Sequence, residues 1–490
     1  MEKRKIQENI LLGIENLSFR DDLNQQKISL RTKSNNLIIK IKRKSIVEQS
    51  KCKYTNIPKD QLFQIYKFET SYNTIISYLK SSNNNLIIYC LNQLVIYFKY
   101  REPDINDQNI IIKGQFFEIL LDLGYKFLID KNENDLIQLI WILLNIQVYN
   151  EGNNNYLKII YGDKYFEFYD KCFTQFGSDE IINEIIALLT YMIKINKDIS
   201  AIIIQSKVFE SIINYSKNKN QDMDVTENII ELIVICLNFP NNYKLNKKEI
   251  NLINEIIILL KSEIFNYENE KLQKLCFEGL YKISKLDNNY RFNQLLIKED
   301  IPFIILKIKN NNNDILIKQL KLLGNILTES DEVCKKIYEA NIIEYYNDIL
   351  NKYDKDNNIV NITLTNIFNI SASKYRNIIK GSIIWSEEKI QKYFNMDEQI
   401  KLIFIKIIKY MVDHCNYNTL QFIFNTKILE YLIYLLSSFN FSDKVTSKII
   451  KLVVNYLSRF EESEKESIEY CIIFNKFQDL INPSSQIESK

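Results

Sequence analysis

Glycine and proline are scarce in this chain, with 9 and 5 among 490 residues. An all-β sandwich, barrel or propeller needs a turn about every 8–12 residues, many of them at positive φ. So few glycines cannot supply those turns, and long helices with short polar connections are expected instead. Histidine is rarer still. His414 is the single one, which leaves a Ser-His-Asp triad, a histidine-rich zinc site or an HExxH helix without its parts. Neither GxGxxG nor GxxxxGK[ST] occurs, so the two common phosphate-cradling loops are missing. Cys52, Cys90, Cys172, Cys236, Cys276, Cys334, Cys415 and Cys471 are scattered singly, with no CxxC pair. Such cysteines are expected to be small buried hydrophobes in a reducing compartment. The opening MEKRKIQENILLGIENL is too polar for a signal peptide. The most apolar uncharged run, Leu136 to Asn150, is too short to cross a bilayer. These absences predict a soluble intracellular protein that is not an enzyme and carries no cofactor and no metal.

What is present is globular: 46% hydrophobic and 25% charged residues. Lys+Arg 63 against Asp+Glu 61 gives a net charge of +2, which excludes a whole-surface nucleic-acid binder. The charge is unevenly placed. Leu23 to Val47 holds Lys27, Arg31, Lys33, Lys40, Lys42, Arg43 and Lys44 and no acid, so the remaining chain is net acidic. Three segments follow: a polar, basic arm over 1–56, a body dense in Ile, Leu, Tyr and Phe over 57–482, and a tail over 483–490 too polar to pack.

The body repeats. Segments such as IWILLNIQVYN, ALLTYMIKINKD, KLLGNILTESDE, TNIFNISASKYR and KLVVNYLSRFEE share an apolar helix, a small or polar residue near its end and a polar turn. Their alignment places Asn145, Tyr191, Cys236, Lys282, Asn325, Asn369, Tyr410 and Asn455 in register, at steps of 46, 45, 46, 43, 44, 41 and 45 residues. Helical repeats of the armadillo and HEAT kind run at about 40–47 residues. Units of two or three helices cannot bury their apolar faces alone, so neighbours stack into a superhelix around one core. The fold class predicted is an all-α, right-handed armadillo-repeat solenoid with a disordered basic N-terminal arm. Its concave groove would bind a partner and perform no chemistry.

Within that pattern the chain resembles the importin alpha nuclear-import adaptors. The arm QQKISLRTKSNNLIIKIKRKSI, Gln25 to Ile46, is similar to that family's importin-beta-binding arm through Ile28, Leu30 and Arg31, then Lys40, Lys42, Arg43 and Lys44. SNNLII stands where the family has a central acidic-basic stretch. Tyr97 to Leu123 resembles the first family repeat, including the Glu102-Pro103 step. LIWILLNI keeps a Trp-x-x-x-Asn pair in Trp141 and Asn145. Asn325 and Asn369 are retained, with Lys321 and Thr365 where the family has tryptophan or its basic substitute.

The resemblance implies binding of basic nuclear-localisation peptides at Trp141, Asn145, Asn325 and Asn369. It also implies importin beta binding, or autoinhibition, through Arg31, Lys33, Lys40, Lys42, Arg43 and Lys44. Partners would be importin beta and signal-bearing proteins, with no nucleic acid and no membrane, in cytoplasm and nucleus. Asparagine suits such a groove because its amide offers two donors and an acceptor to a peptide backbone. A neighbouring tryptophan face takes a lysine stem and its ammonium. The ladder departs from the family at Ala187/Tyr191, Leu232/Cys236 and Glu278/Lys282, and the last family repeat is expected to be missing. An armadillo scaffold holding some other protein partner, cytoskeletal or membrane-associated, is the alternative.

Overall fold

The computed structural model describes residues 63–100, 104–148, 159–160, 162–217, 222–239, 245–265, 269–286, 291–308, 312–328, 331–424, 426, 428–438, 450–455, 457–458, 474–475 and 478. The basic arm, with Arg31, Lys33, Lys40, Lys42, Arg43 and Lys44, lies outside them, as does the tail over 483–490.

Every regular element among the described residues is helical. The turns between them mostly keep ordinary backbone angles, with positive φ at Lys131, Gly177, Asp300 and Asn341. Asn and Asp side chains cap helix N-termini, and at Asp300 and Asn341 they take the left-handed backbone that glycine often supplies after a helix. Asn246 and Glu249 form a reciprocal capping box on the helix Lys247–Ile264. Asp356 accepts from the backbone N–H of Asn358 and Ile359, and Asp397 accepts from that of Ile400. Asp300 and Asn341 occupy equivalent places in successive repeats, each at φ 59° before an apolar helix.

The helices come in threes, two short and one longer. Arg291–Lys298, Ile301–Lys307 and Asn313–Ile326 make one set, and Asp331–Glu339, Ile342–Lys352 and Asn357–Ser371 make the next. The longer, third helices form the ladder of interest. They are α1 (Asn84–Tyr100), α2 (Glu133–Val148), α3 (Asp179–Ile195), α4 (Met223–Cys236), α5 (Glu270–Ile283), α6 (Asn313–Ile326), α7 (Asn357–Ser371) and α8 (Glu398–His414).

The chain falls into two compact units, one through Asn228 and one from Ile229. In the first, α1 packs on α2 and α2 on α3; in the second, α5 packs on α6, α6 on α7 and α7 on α8. The first core is aromatic, with Phe68 centred 5.2 Å from Phe116 and 5.9 Å from Phe98. Beside it the buried Asp107 carboxylate accepts from the Phe68 and Glu69 backbone N–H groups and from the Tyr97 hydroxyl. A carboxylate there satisfies orphan donors at the start of the helix Phe68–Leu79. In the second unit Trp385 is buried, and its Nε1 donates to the Ile379 carbonyl at 2.6 Å. Cys90, Cys172, Cys236, Cys276, Cys334 and Cys415 are all buried. Burial pushes the thiols of Cys90, Cys172, Cys236 and Cys276 far above the ordinary range, which suits packing rather than nucleophilic chemistry. No helix among the described residues is long and apolar enough to cross a membrane.

Trp141 corrects the expectation of a groove tryptophan. It is 1% exposed, within a stretch of α2 from Asp135 to Leu144 that is buried on every side. A helix apolar all round lies within a core, and here it leaves the indole no face for a lysine stem. Trp141→Ala is therefore expected to lower the stability of the first unit by about 3–5 kcal/mol. Hydrogen exchange of the α2 and α3 amides reads the loss, and unchanged protection there would contradict the core assignment.

Candidate peptide-binding ladder

From α3 to α8 each ladder helix buries two faces and leaves a narrow stripe outward. On α5 the stripe is Lys274, Leu275, Glu278, Tyr281 and Lys282; on α6 it is Lys318, Lys321 and Asn325. It continues as Asn361, Ile362, Thr365, Phe368 and Asn369 on α7, and as Leu402, Lys406, Lys409 and Tyr410 on α8. These positions recur at i, i+3, i+4 and i+7, one side of a helix.

On α4 the outward residues are Glu227, Asn228, Glu231 and Ile235, whereas Leu232 and Cys236 are buried. The alignment that paired Leu232 with Cys236 is thus one residue out. Isoleucine and leucine fill both sides of this helix, so hydrophobicity alone does not mark the outward face.

From α4 to α7, side-chain hydrogen bonds tie each rung to the one before. Asn228 Nδ2 donates to Asn183 Oδ1 at 2.7 Å, 45 residues apart. Lys282 Nζ donates to the Val234 carbonyl at 2.9 Å, 48 apart. Asn325 Nδ2 donates to Ser284 Oγ at 2.7 Å, 41 apart. Asn369 Nδ2 donates to the Gly324 carbonyl at 3.1 Å, 45 apart, and Asn366 Nδ2 to the Leu320 carbonyl at 2.8 Å, 46 apart. Asn455 Nδ2 meets Asp413 Oδ1 at 3.4 Å, 42 apart. One repeat length thus separates the partners in every case.

Asn325 and Asn369 are half-buried on the stripe, as a groove requires, with one amide donor of each committed to stacking. Each keeps its carbonyl oxygen and a second N–H for another group. Asn145 is also half-buried, one turn beyond the buried Trp141. Residue-type matching missed Asn183, Asn228 and Asn366. The signal that finds the first two is their spacing of 45, one repeat. Gly324 faces Asn366, where a Cβ would come within 2.5 Å of Asn366 Oδ1, so glycine here lets α7 approach α6 closely.

The stripes carry opposite charge. On α3 and α4 the first unit offers Glu180, Glu184, Asp224 and Glu227 around the Asn183–Asn228 pair and Tyr191, with Lys194 in the last turn of α3. On α5 to α8 the second unit offers mainly lysines. Glu278 is shared by Lys282 at 3.5 Å and Lys318 at 3.6 Å. Lys318 lies 5.8 Å from the Tyr281 ring centre and Lys406 5.9 Å from that of Phe368. A basic peptide at Asn325 and Asn369 would meet the like charge of these lysines. No group of three or more metal-ligating side chains is found among the described residues.

No protein-family model matches the chain. Among solved structures it is similar to an engineered protein from a structural genomics programme, at TM-score 0.56 and 15% identity over 84% of this chain and 98% of that one. A computationally designed armadillo repeat protein for modular peptide recognition matches 51% of this chain and 99% of its own at TM-score 0.40 and 15% identity. A designed armadillo repeat protein in complex with the peptide (KR)4 does so at 0.38, also with 15% identity and the same coverage. The described residues form an all-α helical repeat whose three-helix sets, one repeat of about 40–47 residues apart, are the armadillo pattern.

Lys282 gives this ladder a pH signature. Burial lowers its pKa below the ordinary 10.5, against the opposing pull of Glu278. The folded state then holds this proton less tightly than the unfolded chain, so the penalty is full at neutral pH and relieved as pH rises from the lowered value towards 10.5. The stability of the wild type relative to Lys282→Met should rise across that alkaline window in denaturation titrations. A relative fall would contradict the buried-ammonium geometry.

Proposed function

We infer that this chain is a scaffold for extended peptides that serves as a nuclear-import adaptor of the importin alpha kind. Its basic cargo peptide runs along the α3–α4 stripe, and importin beta takes the arm over 1–56. The observation that carries this reading is the acidic stripe itself. Glu180, Glu184, Asp224 and Glu227 surround a bonded amide pair and the half-buried Tyr191 ring. Carboxylates flanking amides complement a lysine-rich strand, whose backbone the amides hold and whose ammonium groups the acids and the ring attract. The arm supplies a competing occupant of the same chemistry, since Arg31, Lys33, Lys40, Lys42, Arg43 and Lys44 match what that stripe attracts. A basic arm beside a net-acidic body would regulate cargo in this way, with a strong salt dependence. The adaptor would shuttle between cytoplasm and nucleus.

Two measurements on the purified full chain test this. Immobilised protein should retain importin beta, and Lys42→Ala, Arg43→Ala and Lys44→Ala together should weaken retention about tenfold. Glu180→Lys with Glu184→Lys should weaken a fluorescent lysine-rich peptide by a similar factor of about ten. Retention indifferent to the three arm substitutions would overturn the adaptor reading. It would favour a scaffold for some other protein partner, a reading to which the burial of Trp141 also leans.

A further inference from the structure

We propose that the second unit's ladder face, over α5 to α8, is a docking site for an extended acidic segment of a partner protein. The proposal rests on the reading of the ladder as a peptide face and adds a second occupant of opposite charge.

The contacts on this face are continuous from helix to helix. Lys274 pairs with Asp314 at 2.5 Å, Lys318 with Glu278, Asn325 with Ser284, and Asn369 with the Gly324 carbonyl. Phe368 is centred 5.3 Å from Tyr410. Along this line the charge is lopsided. Glu278 must serve both Lys282 and Lys318, while Lys321 and Lys406 are exposed and have no carboxylate partner among the described residues. Two of the ammonium groups lie near ring faces, Lys318 at Tyr281, which Lys285 approaches to 4.4 Å, and Lys406 at Phe368. A lysine already drawn towards a ring loses less side-chain freedom on binding than a free one. The bases on this stripe are all lysine. Lysine acts as a point charge and lacks the bidentate fork that favours a phosphate group, so a run of carboxylates is the fitting chemistry.

Asn325 and Asn369 are fixed one repeat apart by their inter-repeat bonds, each retaining an acceptor and a donor for a peptide backbone. In an extended strand alternate side chains point the same way. A segment with Asp or Glu at alternate positions therefore sets its carboxylates against Lys318, Lys321 and Lys406 while its backbone lies over the two amides. Lys282 and Lys318 repel each other beside one carboxylate, and an incoming acid relieves that repulsion.

Fluorescence anisotropy with the full chain tests the assignment, using two labelled peptides of about a dozen residues, long enough to span several rungs. One carries Glu at alternate positions and the other Lys. The Glu peptide should bind, weaken as salt rises, and lose about tenfold in affinity with Lys321→Glu plus Lys406→Glu. Both residues are exposed, so the fold should survive. Unaltered helicity and unaltered Lys-peptide binding in the same variant confirm that it does. Lys321→Gln plus Lys406→Gln should lose less.

Absence of Glu-peptide binding, or binding indifferent to both pairs of substitutions, overturns the proposal. So does binding that emerges only when Glu461, Glu462, Glu464, Glu466 and Glu469 are changed to Gln, since the face would then belong to this chain's own acidic stretch. The Lys peptide and importin beta report on the adaptor reading separately. If they bind while the Glu peptide does not, only this proposal falls.

Discussion

Contacts between third helices one repeat apart are what everything else in this molecule depends on. A set of two or three short helices has too little interior to stand alone, so its apolar faces must be covered by the next set. Apolar packing fixes that they stack. The side-chain amides refine how they stack, because Asn228, Asn325, Asn366 and Asn369 each reach a polar atom 41 to 46 residues back. Each bond contributes only about 0.5–1.5 kcal/mol net. Their geometric effect is to pin α4, α6 and α7 at fixed points on the preceding repeat, in keeping with the rotation that apolar burial already imposes. Once that rotation is set, the outward stripes of α3 to α8 follow, with their charges.

The stripes differ in charge on similar three-helix sets, which under the proposed function would vary recognition from one unit to the other. The first unit surrounds an amide pair with carboxylates, and the second surrounds its amides with lysines and ring faces. In such a scaffold the amides engage any extended backbone, whereas the neighbouring charges choose the side chains. Affinity on faces of this kind is strongly salt-dependent, because half-exposed charges are screened within about 10 Å at moderate ionic strength.

Much of this was legible in the amino-acid sequence, for physical reasons. The paucity of glycine and proline follows from a helical fold in which Asn and Asp supply N-caps and, at Asp300 and Asn341, left-handed turn positions. The repeat spacing survives because each repeat must bury the same faces, which is why Lys282, Asn325 and Asn369 fall on the stripe as their spacing predicts. The α4 register was not legible, because Ile229, Ile230, Leu232, Ile233, Val234 and Ile235 give apolar residues on every side. Trp141 misled for a related reason. A Trp-x-x-x-Asn pair fixes two residues on one helix side but not which side faces the core, and the run from Leu136 to Leu144 puts the ring inside. The lysine lining of the second unit was visible as residue types, but only the contacts of Lys318 with Glu278 and Tyr281 place it on one surface.

The central claim is that each unit takes an extended partner segment along the outward stripes of its own third helices. Photo-crosslinking from probes placed along a bound peptide, read residue by residue, tests it most directly. The account predicts adducts at Tyr191 from a lysine-rich peptide, and at Tyr281, Thr365 and Tyr410 from a glutamate-rich one. Adducts confined to residues off the ladder, such as the exposed Ile202 and Ile258, would contradict it.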